Sequence, residues 1–153
     1  MKNQKKICVI GAGNWGKNHI KTLNSLGALG GVVEKRKDLI SSLQSLYPEC
    51  AVFDNVSNAI KFNFDGFIIA TPPSSHFEIA KIIIENKKPL LIEKPMTLDY
   101  ASAVVLNELA KKENVKLMVG HVLLFHPAFI KMKELIDSGV IGDVHYIYSN
   151  RLN

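Results

Sequence analysis

The sequence predicts an α/β fold, with a parallel sheet that carries helices on both faces. Three observations support this. Short apolar runs alternate with longer stretches of helical periodicity. A glycine-rich turn, Gly11-Ala12-Gly13-Asn14-Trp15-Gly16, separates the first apolar run from the first helical stretch. The chain has 153 residues, 47% of them hydrophobic, which is enough to bury one substantial core.

The apolar runs are the expected strands, and the stretches between them are the expected amphipathic helices. Six strands are predicted, at residues 7–10, 31–34, 51–53, 66–70, 90–93 and 117–120. Helices are predicted at residues 15–26, 39–47, 77–84 and 100–109, with Thr97 as the N-cap of the last. Right-handed crossovers between parallel strands then favour a doubly wound sheet of order 3-2-1-4-5-6.

The pattern changes from His126 onward. Pro127 and Gly139 bracket another helix. Residues 144–151 alternate apolar and polar side chains, which is typical of a strand with one face in water. We therefore expect a first domain over residues 1–125. Residues 126–153 would be a connecting helix and the first strand of a missing or truncated C-terminal α+β domain, or a strand completed by another chain.

Composition excludes several classes of protein. No apolar stretch approaches the roughly 20 residues that cross a bilayer, and no leader peptide is recognisable, so a cytoplasmic protein without a membrane partner is expected. The net charge is +5, but the basic residues are scattered, and nucleic acid is not an expected partner. Cys8 and Cys50 are interpreted as free, buried thiols, because their spacing fits neither a disulfide framework nor a metal site.

The glycine-rich turn has the context of a phosphate-binding loop, because it follows a strand and opens a helix. Gly11 permits the tight turn, Gly13 lets the backbone approach a pyrophosphate, and Gly16 lets helix and strand pack closely. The helix N-terminus adds free N–H groups, with Asn14 and Trp15 as further contacts. The turn predicts a dinucleotide-binding Rossmann domain, although flavin proteins and methyltransferases carry related loops.

The end of the second strand bears on which dinucleotide binds. Glu34 follows Gly16 by 18 residues, close to the roughly 20 expected for the acid that binds the adenosine ribose. A carboxylate there accepts both ribose hydroxyls and repels a 2′-phosphate, so NAD is favoured over NADP. The neighbouring Lys35 and Arg36 could weaken that preference. Alternatively, Glu34 is a surface residue at a strand end and has no role in binding.

The fourth strand is followed by Thr71-Pro72-Pro73-Ser74-Ser75-His76. Because open parallel sheets bind ligands at the carboxyl ends of their strands, Thr71 and Pro72 are expected to form a rigid turn beneath the dinucleotide. Ser74 or Ser75 can cap the next helix. His76 either touches the cofactor or substrate, or lies in the first turn of that helix.

The fifth strand runs into Glu93-Lys94-Pro95, where chemistry is plausible. The ammonium of Lys94 could bond a substrate hydroxyl near the nicotinamide C4 atom and stabilise the alkoxide that develops as hydride leaves. The alternative is an ion pair between Glu93 and Lys94 at a strand end.

Taken together, three runs resemble the glucose–fructose oxidoreductase and inositol dehydrogenase family. They are residues 9–19 around the glycine loop, residues 70–76 and residues 93–96. The resemblance covers the whole chain. The closing segments, residues 120–127 and 146–153, are most similar to the branch that oxidises the 3-hydroxyl of UDP-N-acetyl-glucosaminuronic acid.

The resemblance implies an NAD-dependent oxidoreductase acting on a sugar or UDP-sugar, as a homo-oligomer. It places Lys94 near the reacting hydroxyl, Glu93 beside it, and His121 at the nicotinamide end of the pocket. The family has a second catalytic motif downstream, an aspartate followed four residues later by a histidine, and Asp143 and His145 lack that spacing.

Three hypotheses follow from the sequence. The chain is the cofactor half of a dehydrogenase, a short enzyme completed by another chain, or a non-catalytic module whose last strand adds to another protein's sheet.

Overall fold

The structure, a computed structural model, describes residues 4–150, and its centre is a six-stranded parallel sheet. The strands lie in the order β3-β2-β1-β4-β5-β6, which confirms the predicted doubly wound order. Their bounds are β1 Ile7–Ile10, β2 Leu29–Val33, β3 Ala51–Phe53, β4 Gly66–Ile69, β5 Leu90–Ile92 and β6 Leu117–Val119. Predicted and observed bounds differ by no more than two residues, and such differences are ordinary at the ends of elements.

The predicted helices are present, together with one that was not predicted. Their bounds are α1 Asn14–Ser25, α2 Lys37–Leu46, α3 Val56–Ala59, α4 His76–Glu85, α5 Tyr100–Lys112 and α6 Pro127–Asp137. The unpredicted helix is α3, only four residues long, which begins because the Asn55 side chain accepts a hydrogen bond from the Asn58 N–H at 2.8 Å.

One predicted helix cap is wrong, and another is correct only in its position. Asp99, not Thr97, caps α5, because its carboxylate accepts a 2.8 Å hydrogen bond from the Ser102 N–H. Thr97 instead donates from its hydroxyl to the Asp99 carbonyl at 2.7 Å. At the start of α4, Ser75 occupies the predicted N-cap position, but its side chain makes no capping hydrogen bond to the described residues. The Ser75 hydroxyl turns back to the Thr71 hydroxyl and the Pro72 carbonyl.

Both faces of the sheet are buried, which explains why the strands are apolar throughout. Alternate residues of β1 enter different clusters: Cys8 and Ile10 pack among residues of α4 and α5, whereas Val9 packs with Ile20 and Leu43 of α1 and α2. Cys8 and Cys50 are both free thiols, as predicted, but only Cys8 is buried, whereas Cys50 is half-buried. Burial raises the pKa of Cys8 above its usual range and that of Cys50 to about 11.

The chain divides into two compact units after Gly120. The first contains the sheet. The second begins five residues earlier than the predicted boundary and contains α6, which starts at Pro127 and is followed by Gly139 at φ +70°, as the sequence predicts.

The predicted strand over residues 144–151 is not seen in the described part of that segment. Residues 144–150 form no strand and are exposed, and Arg151 lies outside the described residues. A strand is stabilised by a hydrogen-bonded neighbour, and no described strand pairs with this segment.

No helix within residues 4–150 is long and apolar enough to cross a membrane. That part of the chain also lacks any cluster of His, Cys, Asp and Glu suited to a metal ion.

Candidate functional site

The glycine loop joins β1 to α1, and its three glycines meet three different constraints. Gly11 has φ +93°, and a Cβ atom there would lie 2.9 Å from the Ala70 carbonyl oxygen. A Cβ atom on Gly16 would collide with the Gly11 carbonyl. Within residues 4–150, nothing lies within 4 Å of the position where a Cβ atom of Gly13 would stand. Gly11 and Gly16 therefore serve the turn and the packing, while the surface above Gly13 is open.

The N-terminus of α1 lies directly in this open region. Gly13 occupies the N-cap position, and no side chain in the described part of the chain caps the helix. The first N–H groups of a helix have no partner within it, so those of α1's first turn are available to an anion. Asn14 and Trp15 are exposed on the same turn. An uncapped helix start beneath an open glycine fits the pyrophosphate of a dinucleotide.

Glu34 follows the last residue of β2, and its carboxylate is tied to the loop. The residue is buried, with 8% of its surface exposed. Its Oε2 atom accepts from the Ala12 N–H at 3.0 Å, and its Oε1 atom accepts from the N–H groups of Lys35 and Arg36 at 2.9 and 3.1 Å. The Arg36 guanidinium also donates to it, with Nε 3.3 Å from Oε1. Glu34 is therefore not a surface residue at a strand end.

Two opposing influences act on the pKa of Glu34. Burial, the largest, raises it, but hydrogen bonds from the side chain and backbone of Arg36 and from Ala12 outweigh burial and lower it below its ordinary value. The carboxylate is consequently held in its charged form beside the loop.

The exit of β4 favours the second of the two alternatives for His76, because His76 is the first residue of α4. Thr71 is half-buried, with its methyl group against Gly11, and Pro72 is exposed. The His76 ring is completely buried. Its Nε2 atom lies 2.8 Å from the Thr71 carbonyl oxygen and its Nδ1 atom 2.9 Å from that of Pro95. Both ring nitrogens are thus occupied, so His76 has none left for a ligand. Instead, its ring joins the exits of β4 and β5.

The exit of β5 carries Glu93 and Lys94, which do not pair with each other through their side chains. Glu93 is buried, and its Oε1 atom lies 2.8 Å from the Nε2 atom of His19. Its Oε2 atom accepts from the backbone N–H of Lys94 at 3.3 Å and faces Gly120. The Lys94 side chain is exposed, and no salt bridge joins it to an acid within the described residues.

His19 is the contact that sequence reasoning missed. A usable signal was present, because His19 lies three residues after Gly16 on α1, and residues three apart share a helix face. Since Gly16 must face the sheet, His19 turns the same way.

The structure brings most of the predicted site residues to the carboxyl edge of β1, β2, β4 and β5. They are Gly11, Gly13, Gly16, Glu34, Thr71, Glu93 and Lys94. His121 begins the second unit, where it precedes a short 3₁₀ turn at Val122–Phe125 and is exposed.

Comparison with known proteins identifies the family. The profile of an oxidoreductase family with an NAD-binding Rossmann fold, GFO_IDH_MocA, matches residues 5–121. "Oxidoreductase P35" of Formosa agariphila is 35% identical over 142 residues, which cover 89% of this chain and 44% of that protein. UDP-N-acetylglucosamine 3-dehydrogenase of Acidithiobacillus ferrooxidans is 29% identical over 144 residues, which cover 94% and 44% of the two chains.

A solved structure supports the fold. The WlbA dehydrogenase from Bordetella pertussis, in complex with NADH and UDP-GlcNAcA, matches with a TM-score of 0.86 at 19% identity, over 93% of this chain and 42% of that one. This chain spans about 44% of the length of the curated relatives it matches. The family profile covers the glycine loop, Glu34 and Lys94. The chain therefore belongs to the GFO_IDH_MocA oxidoreductase family and carries its NAD(P)-binding Rossmann domain.

Proposed function

We propose that this chain is the cofactor-binding portion of an NAD-dependent dehydrogenase that oxidises a hydroxyl group of a sugar or nucleotide sugar. The observation that carries the proposal is the placement of the open glycine loop and the exposed Lys94 at one edge of the sheet. Their strands, β1 and β5, are separated only by β4. Two strand spacings amount to roughly 10 Å, which is within the span of a bound dinucleotide.

At the phosphate-binding end of the site, the proposed donors are backbone N–H groups. The Ala12 N–H is already taken by Glu34, so the donors left for a pyrophosphate are those of the first turn of α1, at Asn14, Trp15 and Gly16. Their alignment with the helix dipole favours a doubly charged group. The absence of a Cβ atom on Gly13 lets that group approach the backbone.

NAD is proposed over NADP because of Glu34. Its carboxylate can accept hydrogen bonds from ribose hydroxyls, whereas a 2′-phosphate would meet a buried negative charge. The Arg36 side chain is 57% exposed where it pairs with Glu34, so it can move away to let the ribose reach the carboxylate.

At the other end of the site Lys94 is the proposed catalytic residue, with Glu93 beside it. A bound nicotinamide supplies the hydride acceptor, its ring C4 atom. The Lys94 ammonium donates to the substrate hydroxyl oxygen, orients the C–H bond towards that acceptor and stabilises the negative charge that develops on the oxygen. Glu93 fixes the backbone of Lys94 by accepting its N–H. The hydroxyl proton passes to solvent water, which reaches the exposed Lys94 side chain.

The specific substrate proposed is UDP-N-acetyl-glucosaminuronate, oxidised at C3. Support comes from the closing segments of the sequence and from a relative named UDP-N-acetylglucosamine 3-dehydrogenase. Other relatives are named inositol 2-dehydrogenase, so a cyclic polyol is the competing substrate.

Calorimetric titration of the chain tests the cofactor. We expect saturable binding of NAD that is stronger than binding of NADP, and a smaller difference between the two in Glu34→Gln, which removes the charge but keeps an acceptor. Glu49→Gln, at an exposed position, is the matched control and should preserve the difference. No binding at millimolar NAD would overturn the proposal.

The role of Lys94 is tested by the linkage between the two ligands. If Lys94 binds the substrate hydroxyl, UDP-N-acetyl-glucosaminuronate should tighten NAD binding in the wild-type chain but not in Lys94→Ala. Lys81→Ala, exposed on α4, should behave as wild type. The same titration with myo-inositol decides between the two substrate classes.

A further inference from the structure

His76 is a buried histidine that joins two loops of the candidate site. It is the first residue of α4, and none of its surface is exposed. Its two ring nitrogens face two different carbonyl oxygens, that of Thr71 after β4 and that of Pro95 after β5. The distances are 2.8 and 2.9 Å, within the range of good hydrogen bonds.

The chemistry of these two contacts sets the number of hydrogens on the ring. A backbone carbonyl only accepts hydrogen bonds, so each nitrogen that faces one must donate. A neutral imidazole has a single N–H group, and its other nitrogen presents a lone pair. That lone pair would oppose a carbonyl oxygen in a place that water does not reach. Only a ring with a hydrogen on each nitrogen satisfies both contacts.

The two contacts act on the segment that carries Lys94. Pro95 follows Lys94 directly, and its carbonyl is held by His76. Glu93 precedes Lys94, and its carboxylate is held by His19. The backbone is thus fixed on both sides of a lysine whose own side chain is exposed.

We propose that His76 is a positioning residue that holds Lys94 in register with the β4 exit, and that it does so as an imidazolium donating from both nitrogens. Charge-assisted hydrogen bonds are the strong ones, which offsets part of the cost of burying the charge. The positive charge also lies at the sheet edge where an anionic dinucleotide would bind. The consequence for Lys94 chemistry rests on the proposed function, whereas the double donation and the fixed backbone do not.

The number of ring hydrogens can be measured directly. In the full chain labelled with ¹⁵N at histidine, without any ligand and at neutral pH, His76 should show two N–H groups that exchange slowly with solvent. Its signals are assigned by their loss in His76→Gln. A single protonated nitrogen on His76 would overturn the double donation.

The positioning role is tested by two variants that each keep one donor. The amide nitrogen of Asn occupies the place of Nδ1 and can reach Pro95, whereas that of Gln occupies the place of Nε2 and can reach Thr71. The backbone order parameter of Lys94 should be about 0.85 in wild type and stay near that value in His76→Asn. In His76→Gln it should fall below about 0.6, while that of Ile20 in the core is unchanged.

The outcomes separate the inference from the proposed function. An unchanged Lys94 order parameter in both variants would overturn the positioning role, even if NAD binds. Failure of NAD to bind would overturn the proposed function and leave both measurements on His76 intact. If His76→Gln does not fold, the ring signals are assigned by their loss in His76→Asn, and the Lys94 order parameter of the wild type still decides. A wild-type value below about 0.6 would overturn the fixed backbone.

Discussion

The Nε2 atom of His19 lies 2.8 Å from the Oε1 atom of Glu93, which is 74 residues further along the chain. The bond connects the helix that follows the glycine loop with the segment that carries Lys94. Glu93 is only 7% exposed, and a buried carboxylate needs donors to replace water. This pair therefore couples the phosphate-binding end of the candidate site to its proposed catalytic end.

Replacing His19 with alanine should destabilise the protein, because the Oε1 atom of Glu93 is left buried without that donor. We expect the free energy of unfolding to fall by about 1–3 kcal/mol, measured by urea denaturation. His19→Gln keeps a donor at a similar reach and should recover part of the loss. His145→Ala, at an exposed position, is the control and should stay within about 0.5 kcal/mol of wild type. Equal stability of His19→Ala and wild type would contradict the coupling.

Gly120 should be intolerant of a methyl group because it lies against the carboxylate of Glu93. A Cβ atom there would lie 3.2 Å from the Oε2 atom of Glu93, so the carboxylate would have to shift and its bond to His19 would lengthen. We expect Gly120→Ala to cost about 1–3 kcal/mol in urea denaturation. The same substitution should cost much less in a Glu93→Ala background, since the two residues are in contact. Equal cost in both backgrounds would show that Glu93 is not what the methyl group meets.

The strands and their order were predictable because their signals are local. Each strand is an apolar run, and the glycine loop marks where the first one ends. The handedness of the crossovers then restricts the sheet order. Residues 144–150 show the limit of such reasoning. Alternating apolar and polar residues predict a strand with one face in water, but they do not show whether a neighbouring strand is present to pair with it.

The candidate site was predictable in its members but not in its contacts. Glu34 and Lys94 were found because they stand at strand exits, where open sheets bind ligands. That Glu93 pairs with His19 rather than with Lys94 depends on how α1 packs on the sheet, which spacing along the chain does not reveal. The same holds for His76, whose partners come from two separate loops.

The hydrogen bonds to Glu34 should make the free energy of unfolding depend on pH under acidic conditions. They lower the pKa of Glu34 in the folded state, whereas the unfolded chain titrates near about 4.3. The unfolded state therefore binds the proton more tightly, and the stabilisation is present above about pH 4.3 and is lost as pH falls from there through the folded value.

Glu34→Gln lacks this titration. Its deficit in the free energy of unfolding relative to wild type should be largest near neutral pH and should shrink as pH falls below about 4.3. Urea denaturation across that range measures it. Asp65 and Asp99 also have a lowered pKa, but they are common to both proteins and cancel in the difference. A deficit that stays constant with pH would mean that the Glu34 pKa is not lowered by folding.

Gly13 and Gly16 should separate ligand binding from folding. Gly13 has φ −70°, which alanine adopts readily, and a methyl group added there would meet no described residue within 4 Å. We expect Gly13→Ala to keep or raise stability, by up to about 1 kcal/mol through the unfolded state. The methyl group would nevertheless stand where the pyrophosphate approaches, so NAD affinity should fall at least about tenfold, or 1.4 kcal/mol.

Gly16→Ala, whose methyl group would strike the Gly11 carbonyl, should instead lose about 1–3 kcal/mol of stability. Thermal unfolding and NAD calorimetry on both variants measure the two effects, and undiminished NAD binding by Gly13→Ala would place the pyrophosphate elsewhere.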